Sequence, residues 1–231
     1  MNSVKIIFLI LSIILSSCKE RNEANSEQIQ MNSELKSKLE TILLKDQGIR
    51  EIIASNGNLS IERKAELLTQ MNLSETDIEG EARFELMREI DSINLLEIES
   101  IIKEYGYPSK SLVGEPANQA AFYVIQHSNK VDKYLPVIRK ATDNGDISKT
   151  ALALMEDRNL MHKGIEQIYG TQIKGQANKK DEWVYFLWPI KNIDSINIWR
   201  KEVGFEQNLE EYLKEMDVDF KLYKINELSD L

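Results

Sequence analysis

The stretch 81-EARFELMREIDSINLLEIESIIKEYGYP-108 decides the fold class, because it predicts one long helix with a defined end. Its apolar residues recur at the spacing of a single helical face, at Leu95, Ile98, Ile102 and Tyr105. Gly106 is a typical helix stop, and Pro108 prevents the helix from continuing. A periodic run of this length indicates that helices form the framework of the protein.

Helical periodicity and helix-capping residues recur along most of the remaining chain. The first helix is predicted from an apolar face formed by Leu35, Leu39, Ile42 and Leu43. Ser60 is typical of a helix N-cap, and Ser74 followed by Asp77 predicts a capping box. Further helices are predicted over residues 118–127, 131–141, 147–163 and 194–203 and from Asn208 to about residue 216. The very apolar segment 118–127 is expected to be buried.

Two runs near the C-terminus have the character of strands. Residues 167–174 and 182–190 are predicted to be extended and to form a β-hairpin, joined by the polar loop 175–181. The alternation of Val218, Phe220 and Leu222 predicts one further strand. The sequence therefore predicts a mainly α fold, with a multi-helix domain over residues 33–231 and a small C-terminal β element.

Residues 1–17 have the pattern of a bacterial lipoprotein signal peptide. Lys5 precedes an apolar run that is too short to span a bilayer, and the run ends in the lipobox Leu15-Ser16-Ser17-Cys18. An ordinary secretory signal or an N-terminal anchor with an incidental cysteine is the alternative. Cys18 is the only cysteine of the chain, so it has no disulfide partner, and this favours lipidation at Cys18.

The residues after Cys18 predict how the domain is attached and where. Residues 18–32 are polar and are expected to be a flexible tether between the lipid and the domain. Lys19 stands where an Asp would favour retention at the inner membrane, so we expect an outer-membrane lipoprotein. The run Cys18-Lys19-Glu20 is similar to the charged export signals of surface lipoproteins, which leaves the periplasmic and the surface face open.

The composition and the motifs of the sequence argue against several classes of function. The chain carries a formal charge of −9, or −10 once Lys5 leaves with the signal peptide, so nucleic acid is not an expected partner. The chain lacks the motifs of the common hydrolases, metalloproteases and phosphate-binding loops. His127 and His162 are its only histidines, which leaves a single histidine with carboxylates as the remaining option for a metal. We predict no metal and no cofactor.

Arg158 and His127 are the first candidate site residues. Arg158 continues the apolar stripe Ile147, Ala151, Leu154 of its helix and is followed by Met161, and His162 lies one turn further on. A buried guanidinium needs a carboxylate partner or an anionic ligand. His127 follows Gln126 at the end of a helix that is apolar enough to be interior. Either residue fits two interpretations, a structural partner inside the core or part of a binding site.

The segment 167–172 is the second candidate. Its polar side chains and its glycine, namely Gln167, Tyr169, Gly170, Thr171 and Gln172, follow the Arg158 helix closely. Such groups fix a polar ligand through directional hydrogen bonds, and they equally serve to end a helix and begin a hairpin. Because the segment begins nine residues after Arg158, the chain can fold back over the same face. We therefore expect Gln126, His127, Asp157, Arg158 and this segment to meet in one site.

These residues also carry a resemblance to a known family. The matching motifs are Asp91-x-x-Asn94, Gly106-Tyr107-Pro108-Ser109, Leu112-Val113-Gly114, Gln126-His127, Asp157-Arg158 and Gln167-x-Tyr169-Gly170-Thr171-Gln172. Over residues 81–175 the chain resembles the bacterial domain of unknown function 6624, and it departs from that pattern at Glu156 and Met161-His162. The resemblance implies no known reaction. It implies that these polar residues belong to one pattern.

Two hypotheses for the function follow. In the first, the protein is an envelope lipoprotein that binds a small polar ligand or an envelope protein through Gln126, His127, Arg158, Gln167, Tyr169, Thr171 and Gln172. In the second, it is an enzyme in which His127 is the general base, Arg158 binds an anion, and Asp157 orients one of them. The binding hypothesis is favoured, because no pair of nucleophile and base can be named.

Overall fold

The computed structural model describes residues 31–55 and 57–230, with the side chains of residues 229 and 230 excepted. The predicted signal peptide, Cys18 and residues 18–30 of the predicted tether lie outside the described residues. The α-helices of the described part are α1 Ser33–Ala54, α2 Ile61–Met71, α3 Ala82–Tyr105, α4 Lys110–Val113, α5 Ala120–Gln126, α6 Val131–Asp143, α7 Lys149–His162, α8 Ile196–Glu202 and α9 Leu209–Glu215. None of these helices combines the length and apolarity needed to cross a bilayer.

The predicted β-hairpin is confirmed. Strand β1 Ile173–Ala177 pairs antiparallel with β2 Trp183–Leu187, and Gly175 lies opposite Tyr185. The first strand begins later than predicted, because Gln167 makes an isolated parallel bridge with Ile190 and the residues between it and β1 serve other contacts. The fold is therefore mainly α with one small sheet, as the periodicity predicted.

The predicted last strand is wrong. Residues 218–224 adopt no regular secondary structure, and neither β1 nor β2 pairs with them in the described part of the chain. Val218 is buried, whereas Phe220 and Leu222 are about half exposed. Alternating apolar residues fit a strand only where a neighbouring strand accepts their backbone hydrogen bonds.

Polar side chains begin the helices at the positions that the sequence indicates. Ser60 caps α2 by accepting a hydrogen bond from the Arg63 N–H. The capping box of Ser74 and Asp77 is present, although it opens a 3-10 helix, Glu75–Ile78, in place of an α-helix. Asn32, the last residue of the predicted tether, caps α1 and donates its N–H to the carbonyl of Leu112. The folded domain thus begins within the segment that was predicted to be flexible.

In the part of the chain that the structure describes, three apolar clusters form the core. The largest joins α1, α3, α5 and α6, and Leu39, Ile98 and Ile125 are fully buried in it. A second lies between the C-terminal half of α1 and α2, and a third packs β2 against α8 and α9. The very apolar helix α5 lies in the largest cluster, so its remaining polar face has a fixed position on the molecule.

The apolar stripe predicted for α7 faces the core only at its start, where Ile147 lies in the largest cluster and Ala151 packs against it. The buried residues of this helix are Ala153, Met155, Asp157 and Asn159, while Arg158 is only partly buried. Helix α7 packs against α6, and Asp157 and Arg158 also bond to residues 168–172. Because two sides of the helix are covered, its buried residues do not follow the single-face period of a surface helix.

Candidate functional site

The guanidinium of Arg158 is held by two neutral oxygen atoms. Its Nε donates to Gln172 Oε1 at 3.1 Å, and its Nη1 donates to the backbone carbonyl of Gln126 at 3.0 Å. Within residues 31–55 and 57–230, no carboxylate lies at ion-pair distance from Arg158, and its Nη2 donates to no protein acceptor. Burial, followed by the positive charge of Arg50, lowers the pKa of this guanidinium. The cation is thus largely removed from water without a counter-charge beside it.

His127 forms a close pair with a buried carboxylate of α1. Its Nδ1 lies 3.1 Å from both Oδ1 and Oδ2 of Asp46. The carboxylate is buried, whereas the side chain of His127 retains 18% of its exposure. This contact turns Nδ1 inward. Within the described part of the chain, the other ring nitrogen, Nε2, has no hydrogen-bond partner.

Further contacts fix the orientation of Asp46. Gln47 Nε2 donates to Asp46 Oδ2 at 2.6 Å, and Arg50 Nη1 pairs with Asp46 Oδ1 at 3.2 Å. Arg50 Nη2 also contacts both carboxylate oxygens of Asp91 on α3 at 2.8 Å. Arg50 therefore has two carboxylate partners, in contrast to Arg158, which has none in the described residues.

The outer face of α5 forms the floor of a groove next to these residues. Gln119 and Tyr123 line two cavities, one of about 430 Å³ toward α7 and one of about 420 Å³ toward α1 and α2. The first cavity includes Gln126 and Leu154, the residue one turn before Arg158. The ring of Tyr123 stacks on that of His127 with centroids 6.5 Å apart. Gln126, the carbonyl partner of Arg158, lines the first cavity, whereas His127 and Arg158 themselves line neither.

Asp157 does not orient His127 or Arg158. Its carboxylate is fully buried and accepts hydrogen bonds from the backbone N–H groups of Ile168, Tyr169 and Thr171 and from the hydroxyl of Thr171, at 2.7 to 3.1 Å. Burial raises the pKa of Asp157, while these four donors act in the opposite direction. Asp157 therefore fixes the loop that follows α7, a structural role in place of the predicted one.

The amides of the segment 167–172 are also used within the protein. Gln167 is fully buried and bonds through its side chain to the backbone of Gln172 and to the carbonyl of Trp188. Gln172 donates to the Leu154 carbonyl and accepts from Arg158. Tyr169 contributes its backbone N–H and carbonyl. Gln167, Thr171 and Gln172 thus form a scaffold that positions Arg158, and they do not line the groove themselves.

The sequence-based interpretation missed Asp46, Arg50 and Arg200. Asp46 continues the apolar face Leu35, Leu39, Ile42 and precedes Ile49, so a signal of the same kind as that at Arg158 was present. Arg200 is buried on α8, where it donates to the carbonyls of Tyr169 and Gln207. No local pattern marks Arg200, since its enclosure depends on contacts far along the chain.

The predicted residues therefore divide into two groups. Arg158 bonds to the carbonyl of Gln126 and the side chain of Gln172, so these three residues are brought together, whereas the side chain of His127 pairs with Asp46. Asp157, Gln167 and Thr171 form the interior scaffold behind them. His162 lies at the end of α7 and is largely exposed. The partial burial of its ring, followed by the positive charge of Arg158, lowers its pKa. In the described residues, no group of three or more His, Cys, Asp or Glu side chains is arranged to hold a metal ion.

Comparisons with known proteins give one match. A search of curated proteins and a search of solved structures each found no similar protein. A family model, described as a family of unknown function (DUF6624), matches residues 33–225. The match begins with α1 and therefore includes Asp46 and Arg50, which lie outside the predicted range 81–175. The chain belongs to this family of unknown function, DUF6624.

Proposed function

We propose that this protein is a binding domain of the bacterial cell envelope whose ligand carries an anionic group that Arg158 holds. One observation carries the proposal: Arg158 is largely buried and positively charged, yet its partners are an amide oxygen and a carbonyl oxygen. Removing a cation from water is costly unless a counter-charge accompanies it. An anionic ligand supplies that charge, and the unused Nη2 atom offers hydrogen bonds to it.

The surroundings of Arg158 favour a small ligand with a polar head. The nearby Arg50 is already paired with Asp46 and Asp91, so of these two cations Arg158 is the one left for an anion. Gln126, whose carbonyl binds Arg158, lines a cavity of about 430 Å³ together with apolar residues such as Phe122 and Leu154 and with the charged side chains of Lys110, Glu115 and Asp146. A site of this size with a few fixed polar groups is typical of small-molecule recognition. The anion is therefore expected to be attached to a larger, partly apolar group that occupies this cavity.

Inorganic phosphate is the simplest probe of the proposed site. We expect 10 to 20 mM phosphate to raise the melting temperature of the purified full-length protein by roughly a few degrees, because a ligand of the folded state stabilises it. Sodium chloride at matched ionic strength is the salt control. Arg158→Gln should abolish the shift, and Arg158→Lys should weaken it, since lysine keeps the charge but loses the planar fork.

A matched variant separates this site from general charge effects. Arg139→Gln removes an exposed arginine that pairs with Glu156, and this variant should keep the full phosphate shift. If phosphate stabilises the Arg158→Gln protein as much as the wild type, the proposed ligand site is wrong. A shift that chloride reproduces would contradict it equally.

The location of the protein forms a second part of the proposal. We propose that a lipid on Cys18 anchors the domain to a membrane, with the outer membrane as the expected one. The lipobox Leu15-Ser16-Ser17-Cys18 supports this, as do the polar residues between it and α1. Two or three acyl chains give stable anchoring.

Cell fractionation and intact-mass measurement test the anchor. The wild type should occur in the membrane fraction with a diacylglyceryl group on Cys18, and Cys18→Ser should release the domain into the soluble fraction. Ser17→Ala is the matched control, because it keeps a small residue before the cysteine. A wild-type protein that is soluble and carries a free thiol at Cys18 would exclude the anchor.

A further inference from the structure

We propose that the end of α5 carries a hydrolytic site in which His127, oriented by Asp46, activates water toward a phosphate ester held by Arg158. This inference rests on the proposed anion site and adds a reaction to it. It names Asp46, a residue whose importance the sequence did not reveal, and it assigns to His127 the part of a base.

The geometry of His127 suits a general base. Its Nδ1 lies 3.1 Å from both oxygens of the buried Asp46 carboxylate, so the tautomer with its N–H on Nδ1 donates to Asp46 and leaves the lone pair on Nε2. In the described residues Nε2 has no hydrogen-bond partner, and the His127 side chain is partly exposed. In the proposed reaction, Nε2 of this tautomer accepts a proton from a water molecule.

Asp46 is suited to position the ring and to stabilise it after protonation. The carboxylate is buried and is held by Gln47 and Arg50, so its own orientation is fixed. A buried carboxylate at Nδ1 selects the tautomer with a free Nε2 and stabilises the imidazolium that forms. Asp91, through its two contacts with Arg50, keeps that arginine in place behind Asp46.

The position of Arg158 selects the class of substrate. Its guanidinium is tied to the carbonyl of Gln126, the residue before His127, so the anion and the base lie side by side. A bound carboxylate is unreactive toward water, whereas a phosphate ester presents an electrophilic phosphorus atom directly beside its bound oxygens. The negative charge on those oxygens is stabilised by the nearby guanidinium as the reaction proceeds.

The reaction is hydrolysis, and its atoms balance. Water gives a proton to Nε2 of His127 while its oxygen forms a bond to phosphorus. The bond between phosphorus and the ester oxygen breaks, and the leaving oxygen keeps the bonding electrons and takes a proton from solvent. The imidazolium then returns its proton to solvent, and the products are an alcohol and a phosphate with one ester bond fewer. The organic group of the ester would occupy the cavity beside Tyr123 and Leu154.

Chromogenic esters test the inference with the purified full-length protein. The probes are p-nitrophenyl phosphate and bis(p-nitrophenyl) phosphate, with p-nitrophenyl acetate as the uncharged comparison. We expect hydrolysis of at least one of the two phosphates. His127→Gln should lower kcat by roughly 100-fold or more, the usual contribution of a general base. His162→Gln, at the other histidine of the chain, should leave kcat unchanged.

Asp46→Asn tests the positioning role of Asp46 separately. In this variant kcat should fall by roughly 100-fold or more, because His127 is no longer oriented by a carboxylate. KM should change by less than about threefold, because Arg158 still contacts the anion. A purely structural role would lower the amount of folded protein and leave the kcat per folded molecule unchanged. Asp132→Asn, at an exposed carboxylate paired with Lys163, is the matched control.

The outcomes distinguish this inference from the proposed function. If phosphate binding depends on Arg158 but neither phosphate ester is hydrolysed, the hydrolytic site is refuted and the binding function remains. If phosphate binding does not depend on Arg158, both the hydrolytic site and the binding function are refuted. Hydrolysis of the acetate alone would overturn the assignment to phosphate esters. If His127→Gln still hydrolyses a phosphate ester at the wild-type rate, His127 is not the base.

Discussion

Arg158, which is partly buried, and Arg200, which is fully buried, both bond to the loop after α7, and their surroundings differ. Arg200 donates to the carbonyls of Tyr169 and Gln207, and its guanidinium lies 4.6 Å from the ring centroid of Phe205 and 5.2 Å from that of Tyr212. Arg158 has an amide and a carbonyl as its partners and adjoins a cavity. Burial lowers the pKa of both guanidiniums. Burial alone therefore does not distinguish a structural arginine from a binding one.

The nearby charges do distinguish them. Burial lowers the pKa of Arg200, and the charges of Tyr212, then Asp157 and Glu210, oppose that effect. For Arg158 the strongest nearby charge is that of Arg50, which adds to the effect of burial. Neither arginine has a carboxylate at ion-pair distance in the described residues. The difference is that acidic groups surround Arg200, whereas the nearest strong charge at Arg158 is another cation.

The largest expected effect is the loss of Arg200. Arg200→Gln should lower the free energy of unfolding by roughly 3–5 kcal/mol, because it removes a buried side chain and leaves the carbonyls of Tyr169 and Gln207 without their donor. Urea denaturation followed by circular dichroism measures the change. Arg139→Gln is the exposed control and should stay within about 0.5 kcal/mol of the wild type. If Arg200→Gln is as stable as the wild type, the distinction between a structural Arg200 and a binding Arg158 is wrong.

Gly170→Ala should have the next largest effect on stability, because Gly170 lies in the loop that bonds to Arg200 and has no room for a side chain. Its φ is +69°, and a Cβ there would lie 2.7 Å from Leu209 Cδ1 and 2.9 Å from Ile196 Cδ1. Strain and overpacking together should cost roughly 2–4 kcal/mol. Gly164→Ala is the matched control, since its φ is +68° and a Cβ would meet nothing within 4 Å. Equal melting temperatures for the two variants would contradict this reasoning.

The smallest expected effect on stability is that of Arg158→Gln. Removing a buried cation without a carboxylate partner should change the free energy of unfolding by at most about 1 kcal/mol, and in either direction. The measurement is again urea denaturation, in buffer free of phosphate and sulfate. A loss comparable with that of Arg200→Gln would assign Arg158 to the scaffold and would weaken the case for a ligand.

The features that depend on neighbouring residues were predictable from the sequence. The N-caps at Ser60 and Ser74 and the end of α3 at Gly106 follow from contacts within one helical turn. The meeting of Arg158 with the segment 167–172 followed from the short connection between them. The hairpin was predicted as well, because a run of β-forming residues needs only its neighbouring strand.

The features that depend on distant residues were not predictable. Asp46 meets His127 across 81 positions, and Arg50 meets Asp91 across 41 positions. The stripe assigned to α7 held only at Ile147 and Ala151, because two sides of that helix are covered, which its own period does not reveal. The role given to Asp157 was wrong for a related reason, because its partners are backbone N–H groups, and these carry no signature in the sequence.

The carboxylate of Asp157 also determines how slowly part of the loop exchanges hydrogen with solvent. The amides of Ile168, Tyr169 and Thr171 lie in no helix or strand, yet each donates to this buried group. Exchange at these amides requires an opening that moves the carboxylate away from all its donors at once. The loop is therefore protected as a single cooperative unit, and its amides should exchange as slowly as those in the interior of α7.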